Sequence, residues 1–241
     1  MNVAQLAKPG DSFNLALETF IPSLLTHDLL FFAGTDDRTT WPKLSSSDEP
    51  AAIYWRIRDI VNFPPNELLK PAGTLMAAAL HLIIKQLGGD ENDYILAPVP
   101  QGAVQLTGAA SVESNIRGLT RRDEEKTHGT GGKFIGNMDK RDEKGNLIGK
   151  RQIILLDDVI TSGGNIETER EKLYTATGEW VGHVLVVCDR RKPGTKDPDG
   201  TTVYSCFTQK TALDLPVLKN HPDRARVDKW LAETRWPKKE R

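Results

Sequence analysis

Short apolar runs alternate with longer, helix-compatible segments through the middle of this chain. Tyr94–Pro98 and Gln152–Asp157 are almost continuously apolar, which is typical of strands buried on both faces of a parallel sheet. Trp180–Cys188 and Thr201–Phe207 predict two further strands. Leu75–Leu87, rich in alanine and leucine, predicts a helix that stops at a pair of glycines. Strands that alternate with helices predict an α/β fold with a mostly parallel sheet flanked by helices.

The other segments have weaker patterns. The predicted regular elements are a helix over Ser12–Thr26, strands over Ile53–Ile60 and Arg117–Arg122, a helix from the turn at Pro100 to about Ser111, a helix over Asn165–Thr177 and a short amphipathic helix within Asp223–Arg241. Lys126–Gly136 is predicted to be a loop because its glycines disfavour a regular element. Asp139–Gly149 is charged and contains a Gly-Asn turn, so an exposed hairpin or loop is expected.

Length, charge and cysteine usage narrow the class of protein. A chain of 241 residues fits one large domain with an elaborated end, or a domain and a half. Lys and Arg number 32 against 33 Asp and Glu, so no basic field predicts a nucleic-acid partner. Cys188 and Cys206 lie in apolar runs and are predicted to be buried thiols. Neither a signal peptide nor an apolar run of membrane-spanning length is evident, so we expect a cytoplasmic protein without membrane contact.

The segment from Ile153 to Asn165 is the most informative part of the sequence. Its apolar residues end in two carboxylates, Asp157 and Asp158, and a small-residue turn follows before the predicted helix. That turn places backbone N–H groups at a helix N-terminus, where a phosphate binds well; its residues are Thr161, Ser162, Gly163, Gly164 and Asn165.

The two carboxylates make the motif more specific, because a phosphate site alone disfavours nearby negative charge. They indicate a ligand with hydroxyl groups or a bound cation beside its phosphate, such as a sugar phosphate with a metal-bound pyrophosphate. Neighbouring residues of a strand point to opposite faces, so at most one of Asp157 and Asp158 is expected to face the ligand. The alternative is an ordinary buried strand followed by a glycine turn, and the order and spacing of the residues favour the ligand site.

Residues 153–165 resemble the signature of type I phosphoribosyltransferases, which bind 5-phosphoribosyl 1-diphosphate (PRPP). A second motif, Arg121–Gly132, combines cations and a histidine with a glycine-rich hinge. By itself it is compatible with a solvated surface loop. It is similar to the flexible catalytic loop of orotate phosphoribosyltransferases, and together the two motifs point to that family.

Weaker matches extend the resemblance over roughly residues 43–207. Tyr54 and Trp55 resemble the aromatic segment that covers the base, although core packing explains them equally well. Gln101 and Gly102 stand in the place of the pyrophosphate loop. Arg190 resembles the arginine that meets the orotate carboxylate; a surface ion pair with Asp189 is the alternative. Lys43 resembles the lysine that reaches base and pyrophosphate.

The resemblance also shows departures. The position after the loop arginine, usually a lysine, is Asp123 if Arg122 matches that arginine. The pyrophosphate loop, which often carries a basic residue, reads Pro-Gln-Gly at residues 100–102. The stretch Asp139–Gly149 looks like an insertion. Fewer cations therefore face the expected pyrophosphate, unless Arg121 or Lys133 compensates.

The resemblance implies an enzyme that converts orotate and PRPP into orotidine 5′-monophosphate and diphosphate, in pyrimidine synthesis. It implies a type I core at residues 66–208, an N-terminal hood over the base at 1–65, and a C-terminal tail with a short helix at 209–241. Mg²⁺ is expected mainly through PRPP, near Asp157 or Asp158, and no side chain is assigned as a certain metal ligand.

The roles follow from the groups. Asp158 is expected to contact the ribose hydroxyls, and Lys126, His128 and Arg122 are expected to stabilise the leaving diphosphate when the loop closes. A homodimer whose loop around Lys126–Gly132 reaches the partner's active site is implied by the resemblance alone. Three alternatives remain: a type I transferase for another base, a PRPP-sensing regulator without catalysis, and a scaffold with a degenerate site.

Overall fold

The helices and strands lie mostly where the apolar pattern predicts them. This computed structural model describes residues 1–43, 50–126 and 132–233, and the side chains of those residues except 123–126 and 132–133. The α-helices are Ser12–Thr26 (α1), Leu69–Leu87 (α2), Val104–Ser114 (α3), Gly164–Thr177 (α4), Gln209–Leu213 (α5), Pro216–Lys219 (α6) and Arg224–Glu233 (α7). The strands are Leu30–Phe32 (β1), Ile53–Trp55 (β2), Tyr94–Pro98 (β3), Thr120–Lys126 (β4), Gly132–Ile135 (β5), Asp139–Arg141 (β6), Leu147–Lys150 (β7), Gln152–Ile160 (β8), His183–Asp189 (β9) and Thr202–Thr208 (β10).

The central sheet has the order β10-β9-β8-β3, and its strands are parallel. All four predicted core strands are confirmed, and their apolar residues are buried as expected for a sheet covered on both faces. Strand β8 runs three residues beyond the predicted end at Asp157, because Val159 and Ile160 continue the pairing with β9. The carboxyl ends of β8 and β9 therefore meet at one edge of the sheet, where such sheets bind ligands.

Helix α2 begins six residues before the predicted start at Leu75. Pro71 lies in its first turn, where the missing N–H costs no hydrogen bond. Gly73 allows the backbone of α3 to come close, because a Cβ on residue 73 would lie 2.9 Å from the Cβ of Ala109. The helix ends at Gly88, whose φ of 70° is left-handed, as the paired glycines predict.

The N-terminal segment adds α1, which confirms the predicted bounds, and the small antiparallel pair β1-β2. The single strand predicted over Ile53–Ile60 is wrong. The strand stops at Trp55, and a 3₁₀ helix covers Ile57–Asn62. Ile57 and Ile60 are the buried residues of that turn, and their spacing of three fits a helical turn rather than the alternation of a strand.

The loop predicted over Lys126–Gly136 is only partly correct. Gly132–Ile135 forms β5, which pairs antiparallel with β4 and makes a two-stranded arm. Phe134 packs against a hydrophobic cluster that includes Leu119 and Ile153. This contact gives β5 a partly buried face. Residues 127–131 lie outside the described residues. The arm's first strand begins at Thr120 rather than Arg117, and β6-β7 confirms the predicted exposed hairpin.

The tail helix is confirmed over Arg224–Glu233, with Val227 and Trp230 on its buried face; residues 234–241 lie outside the described residues. One hydrophobic cluster contains residues of α1, α2, the central sheet and α7, so the N-terminal and C-terminal segments share the core of the sheet. The division at residues 65 and 208 stays a prediction. Cys188 and Cys206 are buried free thiols, as predicted, and burial raises the pKa of both. Within the described ranges, no helix is long and apolar enough to cross a membrane.

Candidate active site

A cavity of about 360 Å³ opens at the carboxyl ends of β8 and β9. The N-terminal segment closes one side of it, and the turn before α4 closes another. Its lining residues are Tyr54, Trp55, Arg56, Arg58, Asp59, Asp158, Val159, Thr161, Asn165 and Arg190. A larger cavity of about 590 Å³ lies beside it and shares Arg190, but none of the predicted phosphate-binding residues lines that space. The smaller cavity is the candidate active site because it joins the acidic residue, the phosphate turn and the arginine.

Asp157 and Asp158 are both 5% exposed, yet only Asp158 lines the cavity. The N–H of Asp158 donates to Asp157 Oδ1 at 2.9 Å, and the N–H of Val159 donates to Asp158 Oδ1 at 2.8 Å. Burial raises the pKa of Asp157 well above its ordinary value, and the charge of Asp158 adds to this rise. The expectation that one carboxylate of the two faces the ligand therefore agrees with the structure.

Arg58 also belongs to the site, although its place in the sequence predicts no role for it. Its Nε lies 3.1 Å from Asp158 Oδ2, while two-thirds of its side chain is exposed. Its guanidinium also covers Gly102: a Cβ on residue 102 would lie 2.6 Å from Arg58 Nε. The Pro-Gln-Gly loop, which lacks its usual cation, is the sequence signal that points to a cation from elsewhere. The Pro100–Gln101 peptide bond of this loop is cis.

The predicted phosphate turn lies between the end of β8 and the start of α4. Gly163 precedes the first residue of α4 and has a φ of 84°, a conformation that favours glycine. Thr161 and Asn165 line the candidate site, whereas Ser162 lines a small neighbouring cavity together with Lys196. The first N–H groups of an α-helix lack partners within the helix, so the turn can bind an anion. All five predicted residues thus lie at the start of one helix, and two of them line the candidate site.

Arg190 is 3% exposed, and its buried Nε and Nη2 have no hydrogen-bond partner among the residues that the structure describes. Its guanidinium carbon lies 5.6 Å from the centroid of the Tyr54 ring. The alternative of an ion pair with Asp189 is wrong, because Arg191 forms that pair at 2.8 Å and a second one with Asp197 at 2.9 Å. Burial lowers the pKa of Arg190. A buried cation without a charged partner is costly, so the site favours an anionic ligand.

Tyr54 and Trp55 face opposite sides of β2, as neighbouring strand residues do. Tyr54 is half-buried and lies beside Arg190 at the cavity. Trp55 is 3% exposed, and its ring centroid lies 5.1 Å from that of Phe207 in the core. Trp55 therefore serves mainly as core packing, and Tyr54 is the ring placed to stack on a planar ligand.

Lys43 and Arg122 are not among the described residues that line the cavity. Lys43 is exposed and forms a backbone bridge with Pro50. Arg122 lies half-buried on β4. Lys126 ends β4 without a described side chain, and His128 lies outside the described residues. The order of the central sheet does not determine how close these chain segments come to the site. The roles of these residues stay predictions.

The idea that Arg121 compensates for the missing loop cation does not agree with the structure. Arg121 Nε lies 3.1 Å from Glu169 Oε1 on α4, and both side chains are largely buried. This pair joins the arm to the helix that begins at the phosphate turn. Among the described residues, no three His, Cys, Asp or Glu side chains come together as a metal site.

The chain is similar in sequence to part of several orotate phosphoribosyltransferases. No protein-family model matches the chain. The chain is 30% identical over 118 residues to the orotate phosphoribosyltransferase of Methanosarcina acetivorans. The aligned region covers 49% of this chain and 56% of that protein. The orotate phosphoribosyltransferase of Methanoculleus marisnigri is 34% identical over 119 positions, or 64% of its length. The chain thus spans about half to two-thirds of the length of these relatives.

Two solved structures share the fold. The UMP synthase of Leishmania donovani superposes with a TM-score of 0.61 at 22% identity, covering 93% of this chain and 43% of that one. The orotate phosphoribosyltransferase of Aeropyrum pernix superposes with a TM-score of 0.53 at 21% identity, covering 80% of this chain and 96% of that one. The chain therefore has the type I phosphoribosyltransferase fold that the sequence predicts.

Proposed function

We propose that this protein transfers the 5-phosphoribosyl group of PRPP to orotate, which yields orotidine 5′-monophosphate and diphosphate. One observation carries the proposal: the acidic residue and phosphate turn of β8 and α4 share a cavity with a buried arginine that lacks an anionic partner. The sequence similarity to orotate phosphoribosyltransferases supports the same activity. A sugar phosphate matches the acidic residue and the phosphate turn, and a planar anion matches the buried arginine.

The phosphate turn holds the 5′-phosphate of PRPP in this proposal. Thr161 and Asn165 supply side-chain hydrogen bonds, and the N-terminus of α4 supplies N–H groups and a favourable dipole. Gly163 gives the turn its left-handed residue without a side chain that would crowd the phosphate. Asp158, which faces the cavity, accepts hydrogen bonds from the ribose hydroxyls, and Asp157 supports it from behind.

Arg190 binds the carboxylate of orotate. Its planar guanidinium can form two parallel hydrogen bonds with a carboxylate, and the buried Nε and Nη2 groups have no competing partner. Tyr54 lies beside the same guanidinium and stacks on the pyrimidine ring. The charge and the flat shape of orotate thus match two neighbouring side chains.

In the reaction the C1–O bond of PRPP breaks and its electron pair leaves with diphosphate, while an orotate nitrogen supplies the pair for the new C1–N bond. That nitrogen releases its proton to solvent. Lys126 and Arg122 stabilise the negative charge that develops on diphosphate, and His128 donates a proton to it. Binding both substrates in one cavity orients the reacting atoms and excludes water.

Mg²⁺ fits this site as a cation held mainly by PRPP. Magnesium commonly binds through substrate phosphates and one or two carboxylates, and Asp158 at the cavity wall, backed by Asp157, offers that set. When bound, it neutralises charge on the diphosphate. We also propose a cytoplasmic homodimer in which the loop around Lys126–Gly132 reaches the partner's site; the resemblance in sequence supports this arrangement.

The test is diphosphate release from PRPP with a panel of acceptors: orotate, uracil, adenine, hypoxanthine and no base, each with and without Mg²⁺. We expect release with orotate and Mg²⁺ and little with the other acceptors. Release with a different base would reassign the acceptor and keep the transferase. PRPP binding without turnover for any base would indicate a PRPP-sensing regulator, and absence of PRPP binding would leave a scaffold with a degenerate site.

A further inference from the structure

Arg58 lies where three features of the site meet. It contacts Asp158, it covers the glycine of the Pro-Gln-Gly loop, and it lines the candidate cavity. Its side chain is 66% exposed, whereas that of Asp158 is 6% exposed. A buried carboxylate thus has a mobile cation as its partner, because an exposed arginine can change rotamer at little cost.

The Pro-Gln-Gly loop supplies no cation for diphosphate, although the resemblance places a basic residue there in other members of the family. The loop at residues 100–102 has no basic residue, and Arg121 is held by Glu169 on α4. The guanidinium of Arg58 fills this place from another segment, since an added Cβ on Gly102 would lie 2.6 Å from its Nε and 2.8 Å from its Nη2. Glycine at position 102 is what leaves room for it.

We propose that Arg58 has two partners in turn: Asp158 in the empty site, and the diphosphate of PRPP in the occupied site. When PRPP binds, its ribose hydroxyls replace Arg58 at Asp158, and the freed guanidinium forms charge-assisted hydrogen bonds with diphosphate. This inference rests on the proposed phosphoribosyl transfer and adds a catalytic residue to it. The exchange keeps Asp158 paired with a donor at each stage, which a buried carboxylate requires.

The charges of Arg58, Asp157 and Asp158 support the pairing of Arg58 with Asp158. Asp158 raises the pKa of Arg58, and the charge of Arg58 lowers the pKa of Asp157, against the rise caused by burial and by Asp158. Arg58 is therefore the charged partner of Asp158 and lies close enough to act on Asp157 as well.

Binding of Mg²⁺-diphosphate and of Mg²⁺-PRPP, measured by titration calorimetry, tests the second partner. Arg58→Ala should weaken diphosphate binding by about 10- to 100-fold, since hydrogen bonds to charged groups have that effect. Arg58→Lys should recover part of the loss, because it restores the charge without the planar fork. Arg38→Ala, which removes an arginine from an exposed pair with Glu233, is the matched control and should change binding less than threefold. Diphosphate affinity within threefold of wild type in Arg58→Ala would overturn the inference.

Kinetics with orotate separates a catalytic role from a structural one. Arg58→Ala should lower kcat more than it raises the KM for PRPP, because the contact with diphosphate strengthens as charge develops on the leaving group. Arg58→Lys should recover part of the lost kcat, because it keeps a positive charge near the leaving group. A variant that merely contains less folded protein would lower the apparent kcat, while the diphosphate affinity of its folded fraction would stay at the wild-type value. Equal losses of kcat in Arg58→Ala and Arg58→Lys would count against a role for the charge of Arg58.

The failure of this inference differs from the failure of the proposed function. If wild type binds PRPP but transfers to no base, the acceptor assignment fails, and the diphosphate titration still decides the role of Arg58. If wild type turns over orotate and Arg58→Ala binds diphosphate normally, only the role of Arg58 is wrong. If wild type binds neither PRPP nor diphosphate, both are wrong.

Discussion

Arg58 and Arg190 are the same side chain in opposite environments, and the environment sets what each can do. Arg58 is largely exposed and paired with Asp158, so it can exchange one anion for another. Arg190 is buried, with two nitrogen atoms that lack partners, so it is held in one position and favours one kind of anion. An adaptable cation suits a leaving group that departs, and a fixed cation suits recognition of an acceptor.

Replacing Arg190 by methionine should make the protein more stable and less active. The change removes a buried, unpaired charge, so the free energy of unfolding should rise by about 1–3 kcal/mol. Orotate should lose its advantage over uracil by about 100-fold or more in kcat/KM, because the carboxylate loses its partner. Urea unfolding and kinetics with both bases measure the two effects.

Arg191→Met is the matched control for that variant. Arg191 is less buried than Arg190, with a side chain that is 6% exposed, but it pairs with Asp189 and Asp197, so its loss should lower the free energy of unfolding by about 3–5 kcal/mol. A large loss of stability in Arg190→Met as well, or unchanged preference for orotate, would contradict the assignment of Arg190 to the acceptor.

Gly163→Val should abolish measurable PRPP binding. An added Cβ has enough space, because its nearest neighbour would be Pro198 at 3.7 Å. The backbone conformation is what excludes valine, since a β-branched residue strongly disfavours a φ of 84°. The turn would rearrange and move its N–H groups away from the phosphate. Calorimetry with PRPP checks this outcome.

Gly178→Val provides the control for backbone strain. Gly178 follows the other end of the same helix with a φ of 74° and open space around it, so the strain is similar and the phosphate turn is untouched. Both variants should lose about 1–2 kcal/mol of stability, and only Gly163→Val should lose PRPP binding. Equal PRPP affinity in the two variants would remove the phosphate turn from the site.

At the scale of elements, helix α4 connects the phosphate turn to the arm formed by β4 and β5. Gly164 and Asn165 of the phosphate turn are the first two residues of this helix. Glu169, further along the helix, pairs with Arg121 of β4. The pair is largely buried, so breaking it would leave an uncompensated charge. The arm that leads into the predicted catalytic loop is therefore anchored on the same helix that holds the phosphate.

This anchoring gives the departure at Asp123 a sharper test. Because Arg121 is engaged with Glu169, it does not replace the missing loop lysine, and Asp123→Lys should raise kcat or tighten diphosphate binding by up to about 10-fold. Glu143→Lys makes the same change of charge on the exposed β6-β7 hairpin and should have no effect. Steady-state kinetics compares the two, and a large loss of activity in Asp123→Lys would mean that the loop alignment is wrong.

At the scale of the whole molecule, the N-terminal segment, the sheet and the tail helix share one hydrophobic cluster. Tyr54 and Arg58 are thereby held over the carboxyl ends of β8 and β9, although about a hundred residues separate them in sequence. The site forms only when this core is complete, so stability and substrate binding should be lost together on unfolding. In the proposed homodimer, the loop around Lys126–Gly132 serves the site of the second copy.

Mixed dimers test this arrangement. Gly163→Val removes the phosphate turn, and Lys126→Ala removes a loop cation, so each homodimer should be nearly inactive. If the loop acts on the partner's site, a mixture of the two proteins should recover activity, because half of the sites in a mixed dimer combine an intact turn with an intact loop. Size-exclusion chromatography first establishes the dimer. No recovery in a proven mixed dimer would place the loop at the site of its own chain.

The sequence by itself determined the strands of the central sheet, the helices next to them and the phosphate turn after β8, because burial on both faces and a glycine turn leave direct marks in local composition. Asp158, Thr161 and Asn165 were found in this way, since they are neighbours in the chain. Only the tertiary structure decided that Arg58 pairs with Asp158, that Arg121 is held by Glu169, and that Arg190 rather than Arg191 lacks a partner. Charges on separate segments meet according to how the segments pack, and the partner of a charged side chain depends on distances of a few ångströms that local composition does not encode.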